Sequence, residues 1–192
     1  MLNFYIEIQL QSTDDVPIWF IMSKAYGMIH KSLGRASANG KCPVGVSFPH
    51  MDEKAHEIGD IIRLFAEDSE TLNALQLQDA LSRYTDYLIV SKVRPVRPAK
   101  GYVTYYKVHY SFTNSQIRRF ARHRGISEDE AFRLYKVPER RHYPGIRLRS
   151  SSTNQDYMLF INSEQCKEPR EGLFSTMGLS SKIEKITVPV FS

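Results

Sequence analysis

Cysteine is scarce in this chain, with Cys42 and Cys166 the only two among 192 residues. Two thiols cannot build a disulfide framework or a cysteine zinc site, which suits a reducing cytoplasm and leaves the fold to an apolar core. Long apolar runs are missing too. No stretch approaches the length that spans a bilayer, and Met1 to Leu10 has neither the basic nor the apolar segment of a secretory leader. These absences lead us to expect a cytoplasmic protein with no membrane association. There is no internal repeat or long low-complexity tract, and the length fits one domain or two small ones.

Acid is the remaining shortage, and it is local. Arg97 to Arg149 carries thirteen Lys and Arg against Glu128, Asp129, Glu130 and Glu139, a net of +9 that leaves −4 for the rest of a +5 protein. Charge segregated in this way is the footprint of a polyanion-binding surface, because neutralised phosphates release condensed counterions. At its centre, Thr113 with Gln116 reads as a capping box and Gly125 as the left-handed stop of a helix. At about 100° per residue, Arg118, Arg119, Arg122 and His123 share one arc, with Ile117, Phe120 and Ala121 opposite. No acid lies between Lys107 and Arg124, so no ion pair within the helix accounts for the arginines. A solvated charged face is the alternative; nucleic acid is the stronger reading.

Along the chain, Leu2, Phe4, Ile6, Ile8 and Leu10 alternate with polar residues, predicting a strand with one buried face. Ile18, Met22, Ala25 and Ile29 switch to helical spacing, with Asp14 or Asp15 as cap ahead of Pro17 and Gly34 as stop. Strands follow over Val44–Phe48 and Ile61–Phe65, a helix from Ser69 to about Tyr84, and a strand over Tyr87–Val93. That succession is the split β-α-β motif of ferredoxin-like folds. Pro95 to Gly101 reads as a linker. We therefore expect an α+β protein: a ferredoxin-like, RRM-like domain over 1–96, and a second domain over 97–192 with the arginine-rich helix and short strands. Ser127 to Glu130 predicts a second capped helix, and Tyr102–Tyr110, Ile146–Arg149, Tyr157–Ile161 and Ile186–Val190 further strands. The aromatic signature with which RNA-recognition sheets stack single-stranded bases is missing, so the arginine helix points to structured RNA or a duplex.

Several blocks then combine: Tyr26-Gly27-Met28-Ile29-His30, Gly45-Val46-Ser47-Phe48-Pro49 with Asp52-Glu53, the arginine helix running into Ile126 to Ala131, Leu148 to Thr153, and Gly178-Leu179-Ser180. In this order they resemble the repeat-processing endoribonucleases of type I-F CRISPR systems, the Csy branch of the Cas-six superfamily. The resemblance spans essentially the whole chain. It implies an enzyme that inserts its arginine helix into the major groove of a repeat RNA hairpin. It implies cleavage at the 3′ base of that hairpin to a 2′,3′-cyclic phosphate, without metal or other cofactor. It also implies retention of the guide RNA hairpin alongside the other subunits of a type I-F surveillance complex. On it, His30 matches the catalytic histidine and Ser150 the serine that orients the attacking 2′-hydroxyl, with Ser152 in support. Lys107 and His109 stand where the family reads bases with arginine and glutamine. Arg118, Arg119, Arg122 and His123 match the groove helix, and Tyr157 an aromatic residue stacked under the terminal base pair.

Three positions depart from the family: Met177 for a tyrosine beside the active site, Lys107 for arginine, which loses a bidentate fork, and His109 for glutamine, which loses an amide. Taken without the resemblance, His30 reads more readily as a packed or surface histidine than as a catalytic one, Ser150 to Thr153 equally as a polar turn, and Tyr157 as core or sheet surface. As a catalytic base, His30 in the last turn of its helix would have its imidazolium favoured by the helix dipole. A silent hairpin-binding subunit, and a basic ribosomal or DNA-binding protein sharing only the fold, are the competing functions.

Overall fold

The computed structural model describes residues 1–108, 114–134, 143–150 and 153–191. The chain alternates strands and helices: β1 (Phe4–Leu10), α1 (Ile18–Ala36), β2 (Lys41–Cys42), β3 (Gly45–Ser47), β4 (Ile61–Ala66), α2 (Ser69–Asn73), α3 (Leu77–Ala80), β5 (Leu88–Val90) and β6 (Arg94–Pro95). Beyond them come β7 (Gly101–Val108), α4 (Asn114–Arg124), α5 (Glu128–Leu134), β8 (Gly145–Arg149), β9 (Asp156–Cys166), β10 (Phe174–Ser175) and β11 (Val188–Val190). One antiparallel sheet runs β3-β4-β1-β5 with β6 also on β1; a second runs β11-β7-β9-β8; β2 and β10 form a ribbon between early and late chain. Apolar residues of both halves share one core, while Ile117, Ala121 and Ala131 form a separate small cluster between α4 and α5. Among the described residues, no helix is long and apolar enough to cross a membrane.

β1 departs from the expected single buried face. Ile6, Ile8 and Leu10 are buried as the alternation demands, but so is Tyr5 on the other side. Phe191 packs edge-on against Tyr5 at 4.9 Å and lies 6.0 Å from Phe65, which Tyr5 faces across the β1–β4 register. The C-terminal segment thus closes this part of the sheet face, where an RNA-recognition module would stack bases. Arg63 caps the cluster, 4.7 Å from the Phe191 ring and paired with Glu7.

The helix α1 begins without the aspartate cap, since Pro17 is its first flanking residue and makes no side-chain cap. Thr13 instead closes a turn with the Val16 amide. Nor does Gly34 stop it. The helix continues to Ala36, where the Ser37 hydroxyl donates to the Leu33 carbonyl at 2.7 Å. The helical stretch after Ser69 is broken: Gln76 takes a left-handed φ of 48° and separates α2 from α3. Asp68 caps α2 by accepting from the Thr71 amide at 2.7 Å. The local signals around α4 and α5 are realised, with Gly125 at φ 65° and the Ser127 hydroxyl accepting from the Glu130 amide at 3.1 Å. The Thr113 cap lies outside the described residues.

Candidate functional site

Helical geometry places Trp19, Ser23, Tyr26, His30 and Leu33 on one stripe of α1, within about 80° of each other. Three attachments hold that stripe. The Ser23 hydroxyl donates to the Arg147 carbonyl of β8. The Tyr26 hydroxyl, fully buried, donates to the Met177 carbonyl at 2.7 Å. Leu33 meets the turn at Gly178, where a Cβ would stand 3.2 Å from its Cδ1 and 2.3 Å from Val46. Gly178 has φ 70° and its carbonyl accepts from the Val46 amide at 2.8 Å, so only glycine fits that approach. His30 therefore lies between two residues clamped to the same turn, half-buried.

Burial lowers the His30 pKa below the usual imidazole value. This reverses the sequence expectation. The helix runs on to Ala36, so His30 sits six residues before its end, and the dipole acts mainly on the last turn. Desolvation wins, and neutral imidazole is the form favoured near neutrality.

Ser150 follows β8 at the mouth of a tight turn. Its amide donates to the Gln155 carbonyl at 2.9 Å, and its hydroxyl accepts from the Thr153 amide at 3.2 Å. Asn154 adopts φ 57° and receives Arg149 Nε on its side-chain oxygen at 2.8 Å. The described residues Ser150, Thr153 and Asn154 thus fit the polar-turn reading, whatever else Ser150 does. Ser152 and His109 lie outside the described residues.

Tyr157 on β9 faces Leu148 across the β8–β9 ladder. It is near enough to Tyr26 to help raise the Tyr26 pKa, behind burial, and burial raises its own. Lys107 on β7 extends over its ring, Nζ to centroid 5.9 Å. The structure therefore brings Lys107 and Tyr157 together, in the sheet whose strand β8 is bonded to the helix that carries His30. Tyr26 and the Met177 backbone belong to the same neighbourhood; the sequence marked Tyr26 only as part of a motif block and Met177 only as a departure, with no sign of their bond. Their link joins residues 151 apart, which no local pattern announces.

Arg118, Arg119, Arg122 and His123 project from α4 into solvent, while Ile117 and Ala121 turn inward to Ala131 of α5. The α4 face is less bare of acid than its sequence suggests. Arg118 pairs with Glu128 of α5 at 3.4 Å, both side chains being about 60% exposed. Arg124 stacks over Phe120 at 5.1 Å. The described residues thus offer a basic helix backed by its own small core and, elsewhere in the chain, a half-buried histidine, a turn serine and a tyrosine with a cation above it. Such a set suits positioning of a phosphodiester and proton transfer to or from a hydroxyl.

The profile of a family described as CRISPR-associated protein (Cas_Csy4) matches residues 5–191. The CRISPR-associated endonuclease Cas6/Csy4 of Pseudomonas aeruginosa (strain UCBPP-PA14) is 30% identical over 183 residues, covering 93% of this chain and 96% of that protein. Among solved structures, a chain titled "An RAMP protein binding different RNA substrates" aligns over the full length of both, at 10% identity and a TM-score of 0.37.

Proposed function

Because the chain belongs to the Cas_Csy4 family of CRISPR-associated proteins, we propose that it is an endoribonuclease that cuts the stem-loop of CRISPR repeat RNA and stays on the resulting 3′ hairpin. The scaffold is a ferredoxin-like N-terminal half joined near residue 97 to the hairpin-binding half. The observation that carries the reading is His30: a half-buried imidazole, kept neutral, on a helix bonded to β8 and to the Met177 turn.

In the reaction, neutral His30 takes the proton of the 2′-hydroxyl at the cut. The 2′-oxygen attacks the adjacent phosphorus, the P–O5′ bond breaks, and the leaving 5′-oxygen takes up a proton. The products are a 2′,3′-cyclic phosphate and a free 5′-hydroxyl. RNA supplies its own nucleophile, so the step calls for in-line geometry and proton transfer rather than a metal. Ser150, supported by Ser152, orients the 2′-hydroxyl. Tyr157 stacks under the terminal base pair, Lys107 and His109 face the stem, and Arg118, Arg119, Arg122 and His123 enter the major groove. Nearly all of these contacts lie on the retained hairpin, which favours slow product release and service as a subunit of a type I-F surveillance complex.

A gel assay in EDTA tests this with a single-repeat hairpin. Wild type cuts and leaves a cyclic phosphate, while His30→Ala binds equally and loses about 10²- to 10⁴-fold in rate. Cutting abolished by the chelator, or normal cutting of a 2′-deoxy substrate, overturns the mechanism; tight binding without cutting by wild type makes the chain a silent hairpin-capping subunit. The pH profile has a definite sign. For the free enzyme, log(kcat/KM) falls with unit slope only below the lowered His30 pKa, under about 6.5. Bound phosphates push the imidazole pKa upward, so the kcat break lies at higher pH than the kcat/KM break.

A further inference from the structure

The catalytic helix carries a second basic surface that the hairpin contacts leave unused. No Asp or Glu occurs from Val16 to Met51, whereas Lys24, Lys31, Arg35 and Lys41 do, in a part of the protein that is otherwise net acidic. Helical spacing puts Phe20, Lys24, Lys31 and Arg35 on one stripe about 60° wide, and these residues are exposed. At its start stand two uncovered rings. Trp19 is 61% exposed and Phe20 42%, their centroids 6.0 Å apart and edge to face, with Lys24 Nζ 5.0 Å over Phe20.

Rings of this size left in water beside cations, with no acid along the helix, form the combination that single-stranded nucleic acid uses: bases stack on the aromatics and phosphates follow the charges. Trp19 also lies on the His30 stripe, eleven residues earlier, which is about 16 Å along the helix axis. A strand that leaves His30 toward the rings thus starts beside Lys31 and passes Lys24 on the way. Ser23, between them, is bonded to the carbonyl of Arg147, itself an exposed cation paired with Asp156.

We propose that the exposed face of α1, with Trp19 and Phe20 as its stacking platform and Lys24 and Lys31 as its phosphate contacts, holds the single-stranded RNA immediately 3′ of the cut. The proposal rests on the assignment of His30 to the cleavage site. It makes α1 a substrate-specific surface. The strand it holds is present before cleavage and absent from the retained hairpin, so α1 distinguishes precursor from product while α4 binds both.

Trp19 is the protein's single tryptophan, so its emission reads the platform directly. Three RNAs are titrated into the full chain: a hairpin ending at the cut, the same hairpin with a single-stranded 3′ flank and a 2′-deoxy group at the cut, and the hairpin with a 5′ flank only. The 3′-flanked RNA should quench Trp19 and the other two should not. Trp19→Ala should weaken the 3′-flanked RNA about tenfold, the scale of one lost base–aromatic stack, and leave the bare hairpin unchanged. Trp19→Phe should recover most of the loss. Unchanged affinity for the bare hairpin also certifies the fold of each variant. Emission that ignores all three RNAs, as a platform covered by another protein would give, overturns the proposal. So does quenching by the bare hairpin or by the 5′ flank alone. Cleavage of the all-ribose RNA is scored separately: quenching without cleavage sinks the ribonuclease reading and leaves the α1 track, and cleavage without quenching does the reverse.

Discussion

α1 and α4 are the two helices on which the proposed chemistry rests, and they are held in opposite ways. Ile21, Met22, Ala25, Tyr26, Ile29 and Leu33 of α1 are buried, and Ser23 and Tyr26 pin it by hydrogen bonds to distant backbone. α4 buries Ile117 and Ala121 against Ala131, in a cluster apart from the main core. The difference follows from what each helix would do. A proton transfer needs its base fixed in a partly dry place, so His30 belongs on the best-anchored helix. Groove binding needs cations held away from the body and kept wet until RNA replaces the water, so the arginines belong on a helix with little core behind it.

Truncating one residue in each core gives the largest effect. Leu33→Ala should lower the stability of the main body by about 2–5 kcal/mol, as for a fully buried leucine. Ile117→Ala should leave the main thermal transition nearly in place and instead weaken hairpin binding, because α4 loses its seat on α5. The measurements are thermal melting and hairpin affinity for both variants. If Ile117→Ala lowers the main transition as far as Leu33→Ala does, the two helices share one cooperative unit and the contrast fails.

A smaller effect separates binding from chemistry. Arg119→Ala should weaken the hairpin to a similar degree whatever its sequence, and reduce the slope of log K against log salt by about one, as for one lost phosphate contact. Cleavage of RNA already bound should keep its rate. A fall in that single-turnover rate comparable to the fall in affinity would mean that α4 also sets the geometry at the cut.

How much of this contrast was readable in advance depends on how local each cause is. The alternation of β1, the spacing of α1, the Gly125 stop and the Ser127 cap are local, and each is present. Gly34 misled because a helix interior tolerates a glycine at a cost of about 1 kcal/mol when a neighbour is well buried, and Leu33 is fully buried. The extra residues from Gly34 to Ala36, most of a turn, moved His30 out of the dipole's reach and let burial set the sign of its pKa shift. Tyr5 looked solvent-facing because the residue that covers it, Phe191, is at the far end of the chain. The same holds for the site. His30 and Tyr157 were marked by resemblance, whereas the Tyr26 link to Met177 and the exposure of Trp19 and Phe20 depend on packing that no window of sequence contains.

The smallest effect bears on α4 alone. Arg118 has an acidic partner, Glu128, which sequence separation hid because it comes from the next helix. An ion pair this exposed contributes at most about 1 kcal/mol to stability, so Glu128→Gln should barely move the melting temperature. On the proposed groove binding, however, RNA and Glu128 compete for the same guanidinium, and removing a carboxylate also removes repulsion toward phosphate. Hairpin affinity should therefore rise about two- to threefold at low salt, and the gain should shrink as salt screens the exposed charges. Unchanged affinity at low salt would mean that Arg118 keeps its bond to Glu128 in the complex. The groove face would then consist of Arg119, Arg122 and His123, with Arg118 serving to brace α4 against α5.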